Sequence, residues 1–114
     1  MTLVDTSVWI SHFREGSKDL ERLLTDEDVI CHSFVVGELA CGNIKNRKEI
    51  FTLLKALPMA VQAQHDEVLQ FIEKNKLMGA GVGYVDAHLL ASAVLSDTPL
   101  WTLDKRLAAV AGKL

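Results

Sequence analysis

The chain has 114 residues, of which 49% are hydrophobic and 24% charged, with a formal net charge of −3 and two cysteines. That length suits one domain around one core, 1–114, and two prolines with no Gly/Ser/Pro-rich or single-sign tract argue against disorder or linkers. No window reaches the roughly 18 apolar residues of a membrane span, and MTLVDTS lacks the basic-then-apolar pattern of a leader, so no membrane association and a cytoplasmic location are expected.

The acidic balance speaks against a basic coat that binds phosphates by counterion release. A cluster of carboxylates that holds a divalent cation would, however, be undercounted by net charge. In a cytosolic protein Cys31 and Cys41 are expected to be reduced thiols in the interior. Together with His32 and His65 they lack the spacing of a zinc site.

Periodicity and breakers give an ordered series of elements. TLVD (2–5) is a short strand ending at an acid, and SVWISHFR (7–14) a helix closed by Gly16. A second helix, 17–25, brings Leu20, Leu23 and Leu24 to one face. DVICH (28–32) is a second strand, after which Ser33 caps a helix carrying VVGELA that stops near Gly42. KEIFTLLKAL (48–57) is helical and ended by Pro58, MAVQ (59–62) is a candidate third strand, and 66–78 is a helix with Val68, Leu69 and Ile72 inward. GAGVG (79–83) lacks the spacing of a nucleotide loop. YVDAHLLASAVLS (84–96) is an apolar helix, PLWT (99–102) a fourth strand, and Asp104 opens a last helix. Strands alternating with helices imply an α/β sandwich about a parallel sheet, with ligands at the carboxyl ends of the strands.

Four acids fall in equivalent places at that edge. Asp5 follows the first strand, Glu38 lies one turn into the helix after the second, Asp86 enters the helix after the glycine segment, and Asp104 follows the last strand. FVVGELAC and VGYVDAHLLA are too apolar for surface carboxylates and contain no lysine or arginine. Carboxylates gathered within about 5 Å repel pairwise by roughly 3 kcal/mol at an effective dielectric of about 20, so protonation or a cation must offset them. Oxygen donors without a thiolate suit one or two Mg²⁺ or Mn²⁺ ions, which in turn suit phosphoryl transfer.

VDTSVW, the Glu of VVGELACG, VDAHLLASA and WTLDKRL, in this order and with acid spacings of 33, 48 and 18, resemble the four motif regions of PIN-domain ribonucleases, specifically VapC-type toxins of toxin–antitoxin pairs. The resemblance implies a three-layer α/β/α PIN-like fold with a central parallel sheet. It implies a Mg²⁺- or Mn²⁺-dependent endoribonuclease that cleaves RNA by metal-activated water and is neutralised by a cognate VapB-type antitoxin. It further implies Asp5, Glu38, Asp86 and Asp104 as the catalytic and metal-organising acids. Ser7 resembles the hydroxyl that bonds within the acid cluster and Thr102 the support of the T-x-D acid, while Thr6 reads as a helix-entry residue. A homodimer is also expected. The short segment after the last helix leaves the family's final strand vestigial or missing.

Lys45, Arg47, Lys48, Lys105 and Arg106 are candidate RNA contacts, against solvated positions or, for the last two, tuning of the acid potential. His88, two residues past Asp86, reads as a packing histidine, and Trp9 and Trp101 as core. Ile10, Phe13 and Leu20 form a face that either packs or docks a partner. Other functions compatible with the acids are a housekeeping PIN nuclease, a non-catalytic domain and a phosphoacceptor domain. The last wants an adjacent acidic pair after the first strand, where this chain has Asp5-Thr6.

Overall fold

The computed structural model describes residues 1–114. TLV forms β1 (Thr2–Val4), VI forms β2 (Val29–Ile30) and LW forms β3 (Leu100–Trp101), joined in a parallel sheet of order β2-β1-β3. Strands this short persist because β1 is central and pairs on both sides, Leu3 standing in register with Ile30 and with Leu100. Bonds just outside the ladder, Thr2 N–H to Asp28 O at 2.7 Å and Asp5 N–H to Trp101 O at 2.9 Å, extend it at each end.

Successive side chains of β1 leave opposite faces of the sheet, and this divides the core. Val4 joins Val29 and Cys31 in the largest cluster, against Val8 and Trp9 of α1 (Thr6–Glu15), Leu20 of α2 (Lys18–Thr25), Val35 and Leu39 of α3 (Ser33–Ala40) and Leu54 of α4 (Arg47–Ala56). Leu3 and Ile30 pack instead on Ala93 of α6 (Tyr84–Leu95). On that side α5 (His65–Lys74) adds Val68 against Ala87 and Ala91, and α7 (Lys105–Ala111) adds Leu107 and Val110 against Leu90. In α6 every residue from Ala87 to Ala93 is buried, as befits a helix enclosed on all sides. The result is the expected three-layer α/β/α sandwich.

Several local expectations are corrected. MAVQ is not a strand: only Met59 bridges Cys31, and the N–H of Val61 turns to Ser96 Oγ. Pro58 at its start cannot donate to a ladder, and Met59 and Val61 remain exposed. The helix expected over 66–78 stops at Lys74, where Lys76 adopts a left-handed φ of 54° and Leu77 N–H reaches back to Ile72 O. Glu27 and Asp97 close α2 and α6 in the same way, so the glycine that marks such stops is missing from all three. Leu69 faces solvent rather than the core. The cap of α3 is His32, whose Nδ1 accepts Phe34 N–H at 2.9 Å, and not Ser33. Leu20 belongs wholly to the core, Trp101 is only half-buried, and no strand follows α7. No helix is long and apolar enough to cross a membrane.

Cys41 also departs from expectation, since it is exposed while Cys31 is fully buried. Burial raises the Cys31 thiol above its ordinary range, with a smaller opposing effect of the His32 backbone. A thiol reagent is therefore expected to label one cysteine of the native protein, Cys41, at once and the second only on addition of denaturant. Mass mapping of the labelled peptides checks the assignment.

Candidate active site

Asp5, Asp86 and Asp104 come close enough for their charges to interact, and Glu38 is linked to the start of α1 through Thr6, each acid being placed by a local device. Asp5 ends β1 and is the N-cap of α1, and Asp104 follows β3 and caps α7 with Oδ1, which accepts the N–H groups of Arg106 and Leu107. Asp86 sits in the first turn of α6 with Oδ2 on Gly83 N–H at 3.1 Å. Glu38 projects from α3, where Oε1 accepts the Thr6 hydroxyl at 2.7 Å. Thr6 opens α1 as expected, and its hydroxyl in addition ties Glu38 to the helix after Asp5.

Asp5 is the most restrained. Its Oδ2 receives Ser7 Oγ–H at 2.8 Å and Thr102 Oγ1–H at 2.7 Å. Both hydroxyl protons are thereby used, so the 3.3 Å approach of the two hydroxyl oxygens is a packing contact. Each hydroxyl then accepts a backbone N–H, that of Leu103 on Ser7 and that of Asp104 on Thr102. The β1–α1 and β3–α7 corners are joined through one carboxylate oxygen.

Burial grades across the group. Asp5 is buried and Asp86 half-buried, while Glu38 and Asp104 are exposed, contrary to the burial expected for Glu38 from its apolar window. The Asp86 carboxyl is raised above its ordinary value, first by loss of solvent; the Gly83 N–H opposes this, and the nearby charges of Asp5 and Asp104 add to it. No lysine or arginine neutralises the group, since the chain's one ion pair is Arg22–Asp19 on α2.

No three histidine, cysteine, aspartate or glutamate side chains are closed into a preformed metal centre. The donors fit a hard cation in kind. Each acid commits one oxygen to the protein and leaves the other, Asp5 Oδ1, Glu38 Oε2, Asp86 Oδ1 and Asp104 Oδ2, with no protein partner.

The candidate basic residues are not gathered. Arg47 donates to the carbonyls of Ala40 and Gly42 and lies 4.9 Å over Phe51, which makes it a stop for α3 rather than a free phosphate contact. Lys45 and Lys48 are exposed beside it, away from the acids' hydrogen-bond network. Arg106 folds against the glycine segment, where Gly81 has a φ of 82° and an added Cβ would meet Arg106 Cδ at 2.7 Å. Its neighbour Lys105 is exposed. His88 is buried and bonded to Tyr84 Oη at 2.8 Å.

The family model of the PIN domain matches residues 2–113. The chain belongs to the PIN-domain family. This PIN domain is 47% identical over 110 residues to Ribonuclease VapC32 of Mycobacterium tuberculosis, in two strains, across 96% of this chain and 89% of that protein, and so belongs to the VapC-type branch. Among solved structures it resembles FitAcB from Neisseria gonorrhoeae with a TM-score of 0.66 and 19% identity, covering 98% of this chain and 94% of that one. PAE2754 from Pyrobaculum aerophilum gives 0.65 and 16%, over 96% and 83%. At these identities the two structures speak for the fold alone.

In this PIN domain the raised carboxyl of Asp86 fixes a pH dependence. The folded state holds that proton more tightly than the unfolded chain, so ionised Asp86 opposes folding above its folded pKa, and the cost fades as pH falls through that value. Asp86→Asn keeps an oxygen for Gly83 N–H and loses the charge. In metal-free buffer the variant is expected to melt a few degrees above the parent at neutral pH, on the scale of about 4–8 °C per kcal/mol for a domain near this size. The two melting curves should converge as the pH is lowered below the ordinary carboxyl range.

Proposed function

We propose that this chain is a Mg²⁺- or Mn²⁺-dependent endoribonuclease toxin in which Asp5, Glu38, Asp86 and Asp104 hold one or two ions at the carboxyl edge of the sheet. The observation that carries the reading is the set of four carboxylates without a protein cation, each with one oxygen anchored and one left over. The name Ribonuclease VapC32 of its relative supports RNA as the substrate. A divalent ion bound there supplies the positive charge that offsets the acids, polarises the phosphodiester and acidifies an attacking water. The chain's own contribution is placement. Ser7 and Thr102 fix Asp5, Thr6 fixes Glu38, and Gly83 and the first turn of α7 hold Asp86 and Asp104. Arg106 and Lys105, one turn or less from Asp104, supply positive charge at the rim for RNA phosphate.

A cognate VapB-type antitoxin neutralises the toxin in this reading, consistent with the VapC-type relative. A groove of about 630 Å³ between α1 and α4, with Ile10, Phe13, Arg14, Ile44 and Lys45 in its lining, suits an apolar segment with acidic flanks. A homodimer through another exposed apolar face completes the expected assembly.

Asp5→Asn is expected to abolish Mg²⁺-dependent cleavage of cellular RNA and the growth arrest that follows induced expression, with the circular dichroism of the parent retained. A purified Asn variant that cleaves at the parent's rate overturns the assignment. The supporting hydroxyl has a smaller part: Thr102→Val removes a bond to Asp5 and the acceptor of the Asp104 N–H while all four acid residues are retained. Its cleavage rate should fall about ten- to a hundredfold, the scale of losing an outer partner of a metal ligand. A rate unchanged from the parent's would deny Thr102 that supporting role.

A further inference from the structure

Beside the acids runs a row of rings that the proposed chemistry does not use. Tyr84, the chain's one tyrosine, opens α6 two residues before Asp86 and is 44% exposed. Its hydroxyl is held from two sides, by His65 Nδ1 at 2.6 Å and His88 Nε2 at 2.8 Å. Two bonds to the hydroxyl pin the far end of the side chain, so the exposed ring cannot swing to another rotamer without losing them. The row continues inward. The His88 ring stands edge-on to Tyr84 with centroids 4.7 Å apart, and Phe34 lies 4.5 Å from His88 and 5.2 Å from His32. Phe34 and Glu38 are four residues apart on α3, hence on one face, so the row runs up to the acids at Glu38.

Two further features narrow what such a row serves. It contains no lysine or arginine, the chain's one cation–π contact being Arg47 over Phe51, so it presents ring faces rather than a cluster of fixed positive charge. Core packing also fails to account for it, because Tyr84 and His65 are exposed while the buried members hold them in place. A fixed, uncharged ring beside a site that cuts a polynucleotide offers a stacking surface to a base, and only an unpaired base can present its face.

We propose that Tyr84 is a stacking platform for an unpaired RNA base next to the scissile bond, with His65 and His88 as positioning residues that lock its ring. The proposal rests on the ribonuclease reading above and narrows the substrate to single-stranded or looped RNA. Loss of one stacked base costs on the order of tenfold in affinity.

A single tyrosine allows a direct test. With 3-fluorotyrosine incorporated into the full-length Asp5→Asn protein, titration with a short unstructured oligoribonucleotide should move the one fluorine resonance, whereas the same strand in a duplex, or an abasic strand of equal charge, should leave it in place. In the cleaving parent background, Tyr84→Leu should raise KM for the single strand about tenfold with kcat nearly unchanged, and Tyr84→Phe, which keeps the ring but loses the hydroxyl that His65 and His88 hold, should recover only part of the loss. An equal shift with the abasic strand, no shift with any strand, or an unaltered KM in Tyr84→Leu overturns the platform. The function reading fails separately, if the parent cleaves no RNA while the fluorine shift with the single strand persists.

Discussion

Asp86 feels the charges of Asp5 and Asp104 at one edge of a sheet only three strands wide, and hydrogen bonding to one oxygen of each of these acids, and of Glu38, holds them in place. Asp5 Oδ2 is the centre of this restraint. It takes the protons of Ser7 and Thr102, and those hydroxyls accept the N–H groups of Leu103 and Asp104, so the exits of β1 and β3 are held at one carboxylate. Buried as it is, Asp5 would be costly without these donors. The same bonds decide which oxygens are left without a protein partner, and these are the oxygens that would hold a cation in the proposed function.

The layers follow from that edge. Leu3 and Val4 send their side chains to opposite helical layers and leave Asp5 as the next residue, at the strand end where neither layer covers it completely. The enclosed α6 brings Asp86 to the same end because its first turn emerges from the glycine segment, against which Arg106 is folded. One helix therefore joins the core to the acid edge and, through Tyr84 and His88, to the ring row. Within the proposed function this arrangement separates tasks: oxygen donors from the four acids, cationic side chains at the start of α7, and a row of rings that runs up to Glu38.

Much of this was legible in the chain itself. The alternation of apolar runs and helical periods identified the α/β class, and carboxylates near corresponding strand ends marked Asp5, Glu38, Asp86 and Asp104 as candidates for one site. Boundaries were less legible where the usual punctuation is missing. Glu27, Lys76 and Asp97 take the left-handed stop that glycine normally marks, and His32 caps α3 in place of a hydroxyl residue. Met59 to Gln62 had the composition of a strand, but pairing is decided by a neighbour's free edge and by Pro58, and only one bridge forms. Burial was misread where a window's average stood for one residue. Glu38 and Cys41 lie among apolar neighbours yet face outward, because a helix turns adjacent residues by about 100° and only some reach the core.

The sequence by itself determined the class of fold, the order of the elements and the identity of the acids, because hydrophobic period and residue chemistry are local properties of the chain. Tertiary structure alone decided the partners: that Thr6 serves Glu38 across 32 residues, that Thr102 serves Asp5 across 97, that Arg47 is spent on α3, and that His65 and His88 share the hydroxyl of Tyr84. Hydrogen bonds are short-range and directional, so which donor meets which acceptor is fixed only when distant segments are packed to within about 3 Å of each other.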